Sequence, residues 1–369
     1  SHETANGVPL VLETTSDTEL MNNPRASVQQ VYGRIMEDLD EAITLLTGAS
    51  ARADKAEISV EVAYGLRARA NLLMGKWAAA ASDAAKAYGT SAPYSVADVS
   101  QPTFYNATDN AWIWGIVVTT EDYLAKTGIV NWPSNLCSLT GMGYTTAASA
   151  TDVAYRLINK NLWAKIPETD VRKGWWVDED LHSPVLDNGL GEDYAYYWAN
   201  GMFNGGTFPS KFSPYTNVKF GPDNGTFADT DNAQDWPLMR VEEMKLIEAE
   251  ALGRDNLATG KQKLEEFVRQ YRDPSYTCTA GSLDAFIDEV WFQRRIELWG
   301  EGFALFDILR LKKPIIRQGA NYPINSTFAE IAAEAPIMIY RIPEAETSVN
   351  SAITEADNNP AAMAPTPVN

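Results

Sequence analysis

The chain has 369 residues, 45% of them hydrophobic and 21% charged, with a formal net charge of -19. This balance belongs to a folded globular protein long enough to bury a large core, and it excludes a disordered chain. An excess of carboxylates without a basic stripe excludes a nucleic-acid binder, which must displace counterions with Lys and Arg. The first element, Gly7 to Leu12, reads as extended, because Pro9 lacks a donor and biases Val8 away from helix. Ser27 and Gln30 have the spacing of a capping box, and Val31, Ile35, Leu39, Ile43 and Leu46 line one face of a helix expected over Val28 to Leu46.

Ser59 offers the next N-cap. Val62, Leu66, Ala70 and Leu73 form a stripe that stops at Gly75, and Trp77, Ala81, Ala84 and Tyr88 continue it on a second helix. Small residues packed against single large ones across a short turn give this pair the layout of a tetratricopeptide-type hairpin. A comparable hairpin is expected later, where Met244, Ile247 and Ala251 lead to Gly253, and Leu264, Val268 and Tyr271 follow on a partner helix. Asp288 to Leu311 then reads as two short amphipathic helices about a hinge at Gly300 and Gly302. Spacing alone makes Arg294 with Glu297, and Asp307 with Arg310, satisfied charges on a helix surface. From Lys312 onward the tail is irregular, and Ala361 to Asn369 are expected to be poorly ordered.

Between the helical blocks, from Tyr94 to Trp236, the chain is rich in aromatics, Gly, Asn, Pro and Asp, and holds most of the tryptophans. Ala111 to Val118 reads as a short strand and Val153 to Trp163 as a helix with Val153, Leu157 and Leu162 on its apolar face. The rest is loop-rich, which is where binding chemistry tends to sit. Trp175-Trp176 precedes the acidic Asp178-Glu179-Asp180, and Asp193, Tyr194, Tyr196, Tyr197, Trp198 and Asn200 crowd a second short stretch. Flat aromatic faces stack on the C–H faces of sugar rings while Asp and Asn bond the hydroxyls. Any one of these rings can equally be core; if the second stretch is a strand, Tyr194, Tyr196 and Trp198 share a face.

Catalytic constellations are sparse. With His2 and His182 as the two histidines, no HExxH zinc site can be built, and a Ser-His-Asp triad would rest on His182 without a nucleophile elbow. Gly141-Met-Gly143 lacks the third glycine of a dinucleotide loop, and no P-loop is present. The Asp223 to Asp235 loop does not match EF-hand spacing and reads as solvated. Cys137 and Cys278 make neither a disulfide framework nor a metal site, and the sequence leaves open whether they pair. No run of about 18 apolar residues is present to span a bilayer. No catalytic residue, metal ligand or cofactor is therefore assigned.

Arg294-Arg-Ile-Glu-Leu298 followed by Gly300-Glu-Gly-Phe, then Leu305-Phe-Asp307 and Arg310, resembles the signature of the SusD/RagB family of outer-membrane nutrient-binding lipoproteins. Gly7-Val-Pro-Leu10, Pro24-Arg-Ala-Ser-Val28, Asp170-Val-Arg172, Pro237 to Ala251 and Tyr340-Arg-Ile-Pro-Glu344 with Asn358-Asn-Pro360 are similar to the same family. The resemblance implies a mainly α, SusD-like fold with tetratricopeptide-type hairpins, long irregular loops and a few short strands. One domain over 1–369 is expected: a helical scaffold at about 27–91 and 237–311, a variable binding region at 92–236, and an irregular segment at 312–369. It implies capture of oligo- or polysaccharide and delivery to a SusC-like TonB-dependent transporter, at the cell surface of the outer membrane. Membrane contact would be through a lipid anchor only, carried with an export signal on an N-terminal part expected to precede this chain. The family places ligand-contacting aromatics after the Asp-x-Arg turn, which here points to Trp175, Trp176, Tyr194, Tyr196, Tyr197 and Trp198. On that basis Trp176→Ala is expected to weaken ligand binding with little loss of fold. The alternatives are a peptide-binding RagB-like member, a glycoside hydrolase using two of Asp178, Asp180, Asp187, Glu192 and Asp193, and a tetratricopeptide-type scaffold for protein partners.

Overall fold

A computed structural model describes residues 3–123, 125, 136–139, 155–202, 211–228, 233–322 and 330–361. The chain divides into two compact units, one of Ser1–Thr47, Leu305–Gln318 and Tyr322–Asn369, the other of Gly48–Ala304 and Gly319–Asn321. Gly141 to Gly143, Val153 and residues 362–369, for which the sequence carries expectations, lie outside the described residues.

In the first unit, β1 (Asn6–Pro9) pairs antiparallel with β2 (Arg25–Ser27). Ser27 ends that strand and caps α1 (Val28–Leu46): its hydroxyl accepts from the Gln30 backbone at 3.2 Å, and its own N–H donates to the Gln30 side chain at 2.8 Å. The capping box and both helix limits are those the sequence predicts. Arg25 donates to the carbonyls of Gly7 (2.7 Å) and Asp357 (2.6 Å) and to the Asn359 side chain (3.0 Å), which fastens the C-terminal segment to the first strand pair. The Asn358 amide bonds both backbone groups of Ile342, at 2.9 and 3.0 Å, and Arg341 pairs with Glu355. The Tyr340–Glu344 and Asn358–Pro360 stretches thus close on one another, as a structural segment does.

The second unit carries the helical hairpins. α2 (Val60–Leu73) and α3 (Trp77–Tyr88) are joined through Gly75, whose φ of +72° is the left-handed conformation that ends a helix without a Cβ penalty. Ser59 stands at the N-cap of α2, but its hydroxyl bonds no helix N–H and is buried without a partner, so it does not act as the predicted cap. β3 (Trp112–Ile116) forms as predicted and pairs antiparallel with a strand absent from the sequence reading. Of the helix expected over Val153 to Trp163, the described residues 155–163 depart from expectation. The backbone N–H of Ile158 bonds the Tyr215 carbonyl and Leu157 bridges Thr216, so this part is extended; Asn159 then caps a single helical turn, Lys160–Trp163.

Two short helices follow, α4 (Pro184–Leu190) and α5 (Glu192–Ala199), then β4 (Trp236–Arg240), the partner of β3. α6 (Val241–Asp255) packs against α3, against α7 (Leu257–Tyr271) and against α8 (Leu283–Glu297). Gly253 does not stop α6. It lies inside the helix because a Cβ there would meet the Phe286 ring at 2.1 Å, and one at Gly260 of α7 would meet the Gly253 Cα at 2.3 Å. These glycines set how closely α6 and α7 approach. Past α8, Gly300 and Gly302 have φ of +81° and +89°, so both hinge glycines are left-handed, and α9 (Ala304–Arg310) begins two residues on. Among the described residues the core of this unit has two clusters. Val62, Leu72, Ala84, Met244 and Ile247 fill one beneath the hairpins, and Phe104, Trp112, Trp175, Trp176, Trp198 and Phe220 belong to the other, beneath the loop-rich region.

Candidate functional site

The Asp170-Val-Arg172 turn anchors the loop-rich region from below. Asp170 accepts the Arg172 backbone N–H at 2.9 Å and grips its guanidinium at 2.9 and 2.6 Å, and that guanidinium reaches Gln293 (2.5 Å) and Glu297 (3.3 Å) on α8. Arg272 donates to both oxygens of Glu297 at 2.8 and 2.9 Å and to Glu242 at 3.1 Å. Arg240, at the junction of β4 and α6, pairs with Glu242 and Glu301, both at 2.8 Å. Lys219 donates to Glu301 at 2.7 Å and to the carbonyls of Glu297 and Trp299 at 2.8 and 2.9 Å.

Arg172, Lys219, Arg240 and Arg272 therefore face Asp170, Glu242, Glu297 and Glu301 inside the protein, four cations against four carboxylates, all with buried side chains. Buried charges are tolerated when each is paired and hydrogen-bonded. Burial alone would raise the Glu297 carboxyl, but Arg272, Arg240 and Arg172 outweigh it and hold the group below the usual carboxylate range. Burial pushes Lys219 down to about 8 despite the attraction of Glu301. The surface-charge reading of Arg294 and Glu297 is thus corrected: both are buried, because α8 lies under the loops. The cluster is a structural floor with no face to solvent.

Above it, the aromatic candidates separate into two sets. Trp175, Trp176 and Trp198 are at most 1% exposed, which corrects their assignment to a ligand platform. Trp175 bonds the Val99 carbonyl through its indole N–H at 3.0 Å and stands edge-on to Phe104; Trp176 stands edge-on to Trp299. Trp198 donates to the Ser138 carbonyl at 3.1 Å. These rings are core because the aromatic-rich region needs a core of its own.

Tyr194, Tyr196 and Tyr197 are 58%, 58% and 48% exposed. They lie on α5, a helix and not a strand, so the alternation that would group Tyr194 and Tyr196 with Trp198 does not apply. Ala195, Trp198 and Ala199, at i, i+3 and i+4, form its buried face. The opposite face carries Asp193, Tyr196, Tyr197 and Asn200 at i, i+3, i+4 and i+7, with Tyr194 at its flank. The Tyr196 and Tyr197 rings meet edge to face, centroids 5.9 Å apart at 71°. Asn200 donates its amide to the Tyr196 carbonyl at 3.0 Å, which leaves the amide oxygen as an acceptor. Met202 is exposed as well and closes the helix, its N–H donating to the Tyr197 carbonyl at 2.9 Å; its apolar surface beside the tyrosines had no signal in the sequence beyond position.

Two of the carboxylates proposed for hydrolysis have local duties. Asp178 accepts the backbone N–H groups of Asp180 and His182, both at 2.9 Å, and Asp187 meets His182 Nε2 at 2.6 Å. The adjacent Ser183 hydroxyl caps α4 and donates to the Gly174 carbonyl at 2.5 Å, so it is already committed. Cys137 and Cys278 are both buried and form no disulfide with one another, the Cys137 thiol donating to the Phe220 carbonyl at 3.2 Å. Asp223 to Gly225 form one tight turn, residues 229–232 of that loop lie outside the described residues, and among the described residues no group of His, Cys, Asp and Glu is arranged to hold a metal ion. Among them, too, no helix is long and apolar enough to cross a membrane.

The fold has known counterparts. A SusD-like carbohydrate-binding protein from Bacteroides vulgatus superposes with a TM-score of 0.70 at 22% identity, over 96% of this chain and 71% of that one. A SusD superfamily protein from Bacteroides thetaiotaomicron gives 0.69 at 20%, over 97% and 72%. A laminarin-binding SusD-like protein gives 0.57 at 19%, over 98% and 75%. At such identities these likenesses establish the fold. No curated protein sequence matches the chain. The model of the SusD family matches residues 145–360, more than half of the chain and spanning the buried charge cluster, α5, the hinge and the closing segment. This chain belongs to the SusD family.

Proposed function

We propose that the chain captures oligo- or polysaccharide at the outer face of the outer membrane, held there by a lipid anchor, and hands it to a SusC-like TonB-dependent transporter without breaking a bond. The observation that carries this reading is the α5 surface: exposed tyrosine faces beside the hydrogen-bonding groups of Asp193 and Asn200, on a helix whose reverse side is locked into an aromatic core. Stacking of sugar rings on exposed aromatics needs no catalytic group, and a rigid backing keeps the platform in place. The laminarin binding of one structural neighbour is in keeping with the same chemistry.

The test is binding to a glycan panel by calorimetry, with Tyr197→Ala and Tyr196→Ala alongside. Loss of one stacking ring, about 0.5–1.5 kcal/mol, corresponds to an affinity two- to tenfold weaker, and the unfolding temperature should not move because both rings are exposed. Silence to every glycan together with a response to mixed peptides would replace this reading by the peptide-binding alternative.

A further inference from the structure

From Gly174 to Ser210 the chain contains Asp178, Glu179, Asp180, Asp187, Glu192 and Asp193 and neither Lys nor Arg. One of these charges is answered by a cation, Glu179 pairing with Lys160 at 2.7 Å, and Asp187 lies 2.6 Å from His182 Nε2. Glu192 and Asp193 are exposed in the first turn of α5, and among the described residues neither carries an ion pair. The helix N-terminus accounts for part of their placement, since it favours carboxylates. It does not account for Asp193 sharing the outward face with Tyr196, Tyr197 and Asn200, one helical turn from the Tyr197 ring.

We infer that the α5 surface selects uncharged glycans and rejects polymers of uronic acid. The inference rests on the capture reading above and adds the substrate class. Asp193 and Tyr197, at i and i+4, are neighbours on the helix surface, so a sugar ring stacked on Tyr197 comes close to the Asp193 carboxylate, with Glu192 next to it, and salt screens charges that near only in part. A uronate carboxylate brought there meets the like charges of Glu192 and Asp193 in the first turn, while Lys211 stands at the other end of the helix, next to Phe212, whose N–H donates to the Ala199 carbonyl at 2.8 Å. A neutral hexose presents hydroxyls, from which Asp193 accepts at no electrostatic cost. The net charge of -19 adds a long-range repulsion of the same sign before contact.

The experiment is calorimetric titration of the full chain with a neutral β-glucan, a neutral mannan and polygalacturonate, at low and high salt, repeated with Glu192→Lys. The expected result is saturable binding of a neutral polymer and binding of polygalacturonate at least about tenfold weaker at low salt, the gap narrowing as salt screens it. Glu192→Lys should narrow the gap further by strengthening polygalacturonate binding while leaving neutral binding unchanged. Polygalacturonate binding equal to or tighter than the neutral polymers overturns the inference and leaves glycan capture standing. Silence to neutral and acidic polymers alike overturns the capture reading, and this inference with it.

Discussion

Removing the Trp176 side chain takes away an indole that is 1% exposed and stands with its ring centroid 5.6 Å from that of Trp299. Truncating a buried aromatic to alanine costs about 3–5 kcal/mol. Trp176→Ala should therefore lower stability by that order in urea unfolding, with any loss of ligand binding following from the loss of packing. An unchanged midpoint would show that the ring is outside the core. Glu297 calls for a different measurement. Its carboxyl is held low by Arg272, Arg240 and Arg172 against the opposing effect of burial, so the stability it contributes is present above its unfolded value of 4.5 and is lost as pH falls below that value. Glu297→Gln leaves three guanidinium groups short of a counter-charge and should cost about 3–5 kcal/mol at neutral pH. The difference between wild type and variant should shrink in denaturant titrations at acid pH; a constant difference would mean that the carboxylate charge is not what stabilises the fold. Neither residue declares its burial in the sequence. A tryptophan beside an acidic triplet, or an Arg-x-x-Glu spacing on a helix, reads the same whether solvent or a second layer of chain lies above it.

At the scale of elements, the long helices were legible, and of the short ones α9, marked by its glycine hinge, was and α5 was not. α1 has the predicted limits because a capping box and an apolar stripe over five turns leave no other solution. α5 is only eight residues, Glu192–Ala199, and its aromatic alternation is equally compatible with a strand. The signal that separates the two is the spacing of Ala195, Trp198 and Ala199, which fits one helix face and no strand face. Gly253 misled in the opposite sense, since a glycine late in a helical pattern usually marks its end. Here it serves the contact between α6 and α7. Gly260→Ala should cost about 1–3 kcal/mol, since the added methyl would sit 2.3 Å from the Gly253 Cα, backbone that cannot rotate away. Thermal unfolding checks this, and a neutral result would mean that the two helices part at little cost.

For the molecule as a whole, Cys137 and Cys278 act as reporters of the second unit, to which both belong. Both are buried, at 2% and 3% exposure, and burial raises the Cys278 thiol above its ordinary range, which suppresses the reactive thiolate. Titration with a chromogenic disulfide reagent should find neither thiol reactive in the folded protein and both reactive in denaturant. Rapid reaction of one thiol under native conditions would locate a local opening at that residue. The sequence by itself determined the class of this protein: hydrophobic periodicity defines the helical hairpins, and the run from Arg294 to Arg310 marks the SusD family, because both are properties of residues near one another along the chain. Tertiary structure alone decided which aromatics remain at the surface and which charges go inside. Trp175 and Trp176 are covered by Phe104 and Trp299, and Glu297 meets Arg172, Arg240 and Arg272, across separations in the chain that no local pattern records. Burial is set by what packs on a side chain, and at each of these positions that partner comes from a distant part of the sequence.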